Sequence, residues 1–260
     1  MPWLHDLLAG TGVGLVAGLA SGFTGTSPGG GLVIFSVLLL GAEQHVAQGT
    51  SLIAQIPPTG LAGIRRYWQS GNRSPLPWII WIGLGFVIGG AGGGYAATAV
   101  SDVVLQWTYV VYLVVLIALL ILRRDRKDGS FEAGARDDLH WLPLLLIGTV
   151  AGFSSGFMGI GGGLAITVGL AAGLRVPQHQ AQLVSLVFSV IPTNLPPAWI
   201  YWSKGLMVGW PAVIGILAGL WIGTDLGARM ANGVSRSVLR RAMIALVSLM
   251  AAYMTYKALT

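Results

Sequence analysis

Apolar residues in this chain fall in long runs separated by short polar breaks. Five runs fill the first half, at about 7–26, 29–41, 46–64, 75–99 and 103–122. A charged stretch opens at Arg123-Arg124-Asp125-Arg126-Lys127-Asp128 and continues to about His140. Five more runs follow, at about 141–160, 163–174, 178–200, 207–228 and 238–256. A helix crosses the hydrocarbon core of a bilayer in about 20 residues. Runs 29–41 and 163–174 fall well short of that and are expected to be half-length or re-entrant helices. Interrupted backbone persists at membrane depth only where protein covers it or where it lines a cavity. The pattern predicts an all-α polytopic membrane protein of about ten hydrophobic segments.

The second half repeats the first at a shift of 134 residues. Ser21-Gly22-Phe23 and Gly25 match Ser155-Gly156-Phe157 and Gly159. Gln44-His45, Ala47-Gln48 and Ser51-Leu52 match Gln178-His179, Ala181-Gln182 and Ser185-Leu186. Pro58-Thr59, Tyr67-Trp68 and Pro77 match Pro192-Thr193, Tyr201-Trp202 and Pro211. Between Gly14 and Gly89, 28 of 76 positions are identical. The matches include His, Gln, Trp, Tyr and Pro in unbroken register, which a shared Gly/Leu bias does not produce. The expected organisation is a first transmembrane repeat at 1–122, a loop at 123–140 and a second repeat at 141–260.

Charge sets the expected orientation. Five crossings per repeat is an odd number, so equivalent loops should face opposite sides. Arg65, Arg66 and Arg73 lie between the third and fourth runs, whereas the equivalent stretch of the second half holds only Lys204. The stretch near 99–103 has no basic residue, whereas its equivalent region holds Arg229, Arg236, Arg240 and Arg241. Basic residues mark the cytoplasmic side. With both termini outside and loop 123–140 in the cytoplasm, thirteen Lys and Arg fall inside, and only Lys204 and Lys257 fall outside. Eight spans would make the repeats parallel and put their basic loops on one side, against this reversal. The chain is thus expected to form two inverted repeats of five.

Composition agrees. Only 9% of residues are Asp, Glu, Lys or Arg and 54% are hydrophobic, against about 25% charged in soluble domains. The net charge of +6 sits in the breaks between apolar runs, so it speaks for orientation in a lipid bilayer and not for a nucleic-acid partner. Cysteine is absent, which excludes disulfides, thiol catalysis and thiolate metal sites. No P-loop and no HExxH occurs, and Ser27, Ser154 and Ser155 have no neighbouring His to activate them. No cofactor and no metal site is expected, and the sequence leaves a homo-oligomer open.

Two glycine breaks are the leading candidate chemistry. Gly25-Thr26-Ser27-Pro28-Gly29-Gly30-Gly31 and Gly159-Ile160-Gly161-Gly162-Gly163 each end one helix and open a short one. Unpaired N–H groups and the helix dipole at such an N-terminus attract anions, and two inverted copies could face one central site. Tight packing alone would also explain the glycines. Thr26-Ser27-Pro28 reads as an insertion in the first copy that adds two hydroxyls. A polar stripe follows each break: Gln48, Ser51, Gln55 and Thr59, then Gln182, Ser185, Ser189 and Thr193 with Asn194. Spaced three or four apart, each set is expected on one helix face. It would form either a neutral hydrogen-bonding wall for a substrate or plain interhelical bonds. The prolines at 57–58 and 192 predict a bend. His45, His179 and Asp225 are candidates for coupling to protons, against structural readings: an interfacial His, and a salt bridge of Asp225 to Arg229. Tyr67-Trp68 and Tyr201-Trp202 are expected as interface anchors.

The doubled motif, Ser155-Gly156-Phe157-Met158-Gly159-Ile160-Gly161-Gly162-Gly163 with Ala181 to Ser185, and Ser21 to Gly31 with Ala47 to Ser51, resembles the sulfite exporter TauE/SafE family over nearly the whole chain. The resemblance implies a bacterial inner-membrane permease for sulfite, sulfonates or related organic anions, coupled to a proton gradient. Thr26, Ser27, Gly29, Gly30, Gly31, Gln48, Ser51, Gln55, Gly161, Gly162, Gly163, Gln182, Ser185, Ser189 and Asn194 are the expected substrate-binding residues. A transition-metal or other cation carrier, and a membrane-embedded enzyme or assembly factor, are the alternatives.

Overall fold

A computed structural model describes residues 2–24, 27–57, 75–122, 139–232 and 236–259. Every regular element among them is helical. In chain order these are α1 Pro2–Thr24, α2 Gly29–Leu39, α3 Gln44–Ala54, α4 Leu76–Ala97, α5 Asp102–Leu122, α6 Trp141–Met158, α7 Gly163–Val168 continued by a π-helical turn Gly169–Gly173, α8 Gln178–Phe188, α9 Leu195–Ser203, α10 Trp210–Asn232 and α11 Arg236–Leu259. Four helices are long and apolar enough to cross a membrane: α1 (Trp3–Phe23), α4 (Leu76–Ala97), α6 (Trp141–Met158) and α10 (Trp210–Gly227). The two short runs are short helices, Gly29–Leu39 and Gly163–Gly173. Loop 123–138, residues 58–74, and with them Thr59 and Tyr67-Trp68, lie outside the described residues.

The helices form two compact units, each drawn from both halves of the chain. The first comprises Met1–Gln48, Thr98–Gly129 and Met207–Thr260, and the second Gly49–Ala97 and Ser130–Leu206. In the first unit α1 runs parallel to α10, with Gly10, Gly14 and Gly18 against the backbone of Ala212, Ile216 and Leu220. Gly215, Gly219, Gly223 and Gly227 face back onto Leu7, Thr11, Leu15 and Leu19. A Cβ on Gly14 would lie 2.1 Å from the Ile216 carbonyl oxygen, so only glycine allows this approach. Helix α5 packs on α11, and α2 on α1.

The second unit repeats this device. Helix α4 runs parallel to α6, with Gly85, Gly89 and Gly93 against Leu145, Thr149 and Phe153. Gly148, Gly152 and Gly156 face Ile82, Phe86 and Gly90 in return. Gly14 and Gly148, Gly18 and Gly152, and Gly85, Gly89 and Gly93 with Gly219, Gly223 and Gly227 are each 134 apart, so equivalent positions do the same work in the two units. Beside this seam a core of Trp78, Ile82, Phe86, Leu144, Ile166 and Phe188 is buried, with Phe86 and Phe188 stacked at 6.1 Å between ring centroids.

The outer faces are apolar too. On α4, Ile80, Leu84 and Ile88 are 49%, 48% and 63% exposed, spaced four apart on one face. On α6, Leu142, Leu146, Val150 and Phe153 make a similar exposed stripe. Small residues within and large apolar residues without is an arrangement for lipid, where helices associate by close packing and hydrogen bonds and not by hiding apolar surface.

Run 178–200 is not one bent segment but two helices. After α8, Ser189 caps the helix and residues 190–194 are irregular before α9 begins at Leu195. Pro192 has no N–H to donate and disfavours helical backbone at Ile191. Pro196 and Pro197, by contrast, suit the first turn of α9, where an N–H would go unpaired anyway. For the same reason α3 stops at Ala54, just short of the prolines that begin at 57. The polar stripes are therefore not continuous helix faces: Gln55, Ser189 and Thr193 lie past the ends of their helices.

Candidate functional site

The second glycine break is the polar centre of the second unit. Helix α6 ends on Gly159, which takes the left-handed conformation (φ 70°) and donates its N–H to the Ser155 carbonyl at 2.7 Å. Gly161 also has positive φ, at 76°. Glycine adopts such angles without the Cβ penalty that other residues incur. At Gly162 a Cβ would meet the Phe86 ring at 2.2 Å. The chain then turns into α7 at Gly163.

Side chains from both halves of the sequence close on this break. Ser51 Oγ, fully buried on α3, donates to the Gly159 carbonyl at 2.7 Å. Gln55 Nε2 donates to the same carbonyl at 3.2 Å and to Ser51 Oγ at 3.0 Å. From α8, Ser185 Oγ donates to the Gly163 carbonyl at 2.9 Å, and Thr167 Oγ1 donates to it as well, at 2.9 Å. Ser155 Oγ donates to Asn194 Oδ1 at 2.9 Å, tying α6 to the start of α9. Thr193 is buried beside it, and its hydroxyl has no hydrogen-bond partner among the described residues. Ser51, Gln55, Ser185, Asn194 and Gly161–Gly163 thus gather in one unit around one break. Ser189 instead turns its hydroxyl back to the Leu186 carbonyl of its own helix. Gln182 lies on α8 and is partly buried, and Gln48 is fully buried on α3.

The first break belongs to the other unit, and its described part begins at Ser27. Gly25 and Thr26 fall outside. Helix α2 starts at Gly29 with its first bond from Leu32 N–H to the Pro28 carbonyl, 2.9 Å. Gly30 accepts the Tyr109 hydroxyl of α5 at 2.7 Å, and Gly31 packs against Ala17. Since α2 begins at Gly29 and α7 at Gly163, 134 residues apart, the breaks have equal length. Thr26-Ser27-Pro28 is therefore not an insertion but stands where the second copy has Ile160-Gly161-Gly162.

The coupling candidates divide. His45 Nδ1 lies 2.6 Å from Asp102 Oδ1 at the head of α5. Asp225 pairs with Arg229 one turn on at 2.8 Å, both mostly exposed. The His179 side chain is outside the described residues. Asp102 and Tyr109 escaped notice in the sequence because nothing local marks their partners, and Ser155 stood out only as part of the repeated motif. Tyr201, expected at a membrane interface, is fully buried and donates to the Gly156 carbonyl at 3.4 Å, whereas Trp202 beside it is 43% exposed.

The family model for the sulfite exporter TauE/SafE matches residues 10–254. The chain belongs to the sulfite exporter TauE/SafE family. A relative, the "Probable membrane transporter protein YdhB" of Bacillus subtilis (strain 168), is 26% identical over 238 residues, covering 87% of this chain and 91% of the relative. No solved structure matches. As a TauE/SafE protein the chain is a membrane transporter and not an enzyme.

Proposed function

We propose that this TauE/SafE protein is a secondary transporter that moves a small sulfur-containing or organic anion, of the sulfite or sulfonate kind, by alternating access coupled to protons. The carrying observation is the second glycine break, met by hydroxyl and amide groups from both halves of the chain. Broken backbone and neutral donors at membrane depth suit an anion that sheds water, binds and must leave again. Backbone N–H groups near Gly161–Gly163 and Gly29–Gly31, with Thr26, Ser27, Gln48, Ser51, Gln55, Gln182, Ser185, Ser189 and Asn194, would hold it.

Ten segments in two inverted repeats of five go with this function, at 1–122 and 141–260 around a cytoplasmic loop 123–140 in a bacterial inner membrane, both termini outside. One support is the exchange of partners, α1 with α10 and α4 with α6, at equivalent positions. Another comes from α5 and α11, which are equivalents and pack together. Lys257, near the end of α11, donates to the Ala42 carbonyl. His45, three residues on, contacts the first residue of α5. The end of α11 therefore lies with the start of α5, and the two run antiparallel, as a two-fold axis in the membrane plane requires.

Because the chain has no cysteine, single cysteines report sidedness directly. Ser203→Cys is expected to react with an impermeant maleimide from outside intact cells, and Gln69→Cys, its equivalent, only after permeabilisation. Labelling of both from one side would reject the inversion. For the substrate, purified protein in sealed liposomes is expected to exchange sulfite, and sulfite, thiosulfate or a short sulfonate to raise its melting temperature by binding the folded form. Stabilisation by divalent cations alone would favour a cation carrier.

A further inference from the structure

We propose that the Thr193 hydroxyl and the Asn194 side-chain amide form a donor face that binds the transported anion directly, and that this face takes singly charged oxyanions in preference to doubly charged ones. The assignment rests on the anion-carrier reading above. It adds Thr193 to the site and names the charge class of the substrate. An asparagine placed just before a helix ordinarily serves the backbone, by accepting from an N–H of the first turn two or three residues on. Asn194 holds that position on α9, but the residues two and three on are Pro196 and Pro197, which have no N–H. Its side chain accordingly makes no capping bond. The turn before α9 is held by its own backbone: Thr193 N–H donates to the Ile191 carbonyl at 2.7 Å and Leu195 N–H to the Pro192 carbonyl at 3.1 Å. Neither side chain is needed to build it.

Both side chains are nonetheless buried, Thr193 at 5% exposure and Asn194 at 9%. Thr193 Oγ1 has no hydrogen-bond partner among the described residues. Asn194 Oδ1 accepts from Ser155 Oγ at 2.9 Å, which orients the amide and leaves the two N–H groups of Nδ2 to serve another acceptor. None of the described residues is that acceptor. Ser155 also closes the end of α6, where its carbonyl takes the Gly159 N–H at 2.7 Å. The amide therefore lies at the glycine break, in the same unit as the Ser51 and Ser185 hydroxyls. Pro197 seats the start of α9 against α4, where a Cβ on Gly94 would meet it at 3.1 Å. A buried donor whose bond is left unmade is costly. Adjacent donors fixed in place with no structural duty are accounted for by a ligand that completes their bonds.

The charge class follows from the chemistry around these donors. The side chains bonded at the break, Ser51, Gln55, Ser155, Thr167, Ser185 and Asn194, are all neutral. Between Trp141 and Ser203 the sequence holds no Asp, Glu or Lys and one Arg, Arg175, which is exposed in the turn between α7 and α8. Helix α4 has no charged residue. Neutral donors bind an anion by hydrogen bonds and leave its charge uncancelled. The cost of taking an ion out of water rises with the square of its charge, so a second negative charge raises it about fourfold while the number of donors stays the same. Sulfonates and hydrogensulfite carry one charge and sulfate carries two. Sulfite therefore suits this face in its singly protonated form.

The test titrates the melting temperature of the purified full chain with methanesulfonate, sulfite and sulfate, on the acid and alkaline sides of neutrality. Methanesulfonate, singly charged throughout, is expected to bind equally at both. Sulfite should bind more tightly on the acid side, and sulfate should be the weakest. Thr193→Val keeps the shape of the side chain and removes the hydroxyl. It should weaken methanesulfonate binding by at least about tenfold, the worth of one hydrogen bond to a charged group. Its melting temperature without ligand should stay level or rise, because no protein bond is lost and an unpaired polar group is gone. Thr193→Ser should keep native-like affinity, and Asn194→Asp, which retains the oxygen for Ser155 but replaces the donors by a carboxylate, should abolish binding. Native-like affinity in Thr193→Val overturns the assignment. So does a melting temperature of ligand-free Thr193→Val several degrees below the native one, since the hydroxyl would then have a structural partner. Sulfate binding as tightly as methanesulfonate overturns the charge class. A native chain that none of the three anions stabilises rejects the anion-carrier reading itself, and this assignment with it, whereas a native response that Thr193→Val retains rejects the assignment alone.

Discussion

Gly152→Ala is expected to unfold the second unit or lower its stability by about 3 kcal/mol, the upper end of the usual cost of overpacking. The added Cβ would stand 2.1 Å from the Phe86 carbonyl oxygen, 2.7 Å from Phe86 Cα and 2.8 Å from Gly90 N. All three obstacles are backbone atoms of α4, so no side chain can swing aside. The helices would have to separate, and the neighbouring contacts of Gly148, Gly156, Gly85 and Gly89 would loosen with them. Alanine's better helix propensity returns only about 1 kcal/mol. Gly92→Ala is the control, because that glycine lies on the partner helix α4 with nothing within 4 Å of the added Cβ. It should leave stability unchanged or raise it slightly. Thermal unfolding of the two purified variants in detergent decides the matter, and equal melting temperatures would show that the seam is looser than the atomic distances say.

Ser51→Ala combined with Ser185→Ala is expected to lower sulfite affinity by at least about tenfold, or about 1.4 kcal/mol, in a protein that still folds. Each hydroxyl donates to a carbonyl flanking the glycine break, Gly159 at 2.7 Å and Gly163 at 2.9 Å. Neither carbonyl is orphaned by the change, since Gln55 still donates to Gly159 and Thr167 to Gly163. Two neutral hydrogen bonds are worth about 1 kcal/mol each, which a packed bundle tolerates. Ser154→Ala is the matched control, with an exposed hydroxyl that donates to the Val150 carbonyl of its own helix. Titration of melting temperature with sulfite gives the affinities. Native-like affinity in the double variant would remove these serines from the site and leave them as structural bonds.

Much of the helical layout was legible in the chain. The runs at 75–99 and 103–122 correspond to Leu76–Ala97 and Asp102–Leu122, because a bilayer-length apolar stretch has few alternatives to helix, and the shorter run at 163–174 is the short helical stretch Gly163–Gly173. The glycine break at 159–163 was visible as well, since consecutive glycines do not continue a helix. The split after α8 was only half legible. Pro192 announced a disturbance, but a proline in a membrane helix either kinks it or ends it, and local sequence does not decide which. The polar stripes were read as helix faces, and the early helix ends at Ala54 and Phe188 broke that periodicity.

What the chain by itself determined was its solvent, its helices and its internal repeat, because each follows from residue type and spacing along one segment. Partnership was decided only in three dimensions. Glycines spaced by four announce a close neighbour without naming it, and the fold chose α10 for α1 and α6 for α4. Tyr201 has the amphipathic ring of an interface residue, yet the Gly156 carbonyl drew it inside. His45 and Asp102 are 57 residues apart and carry no mutual signal in the sequence. The attraction between a carboxylate and an imidazole depends on distance, and only the packed helices set that distance.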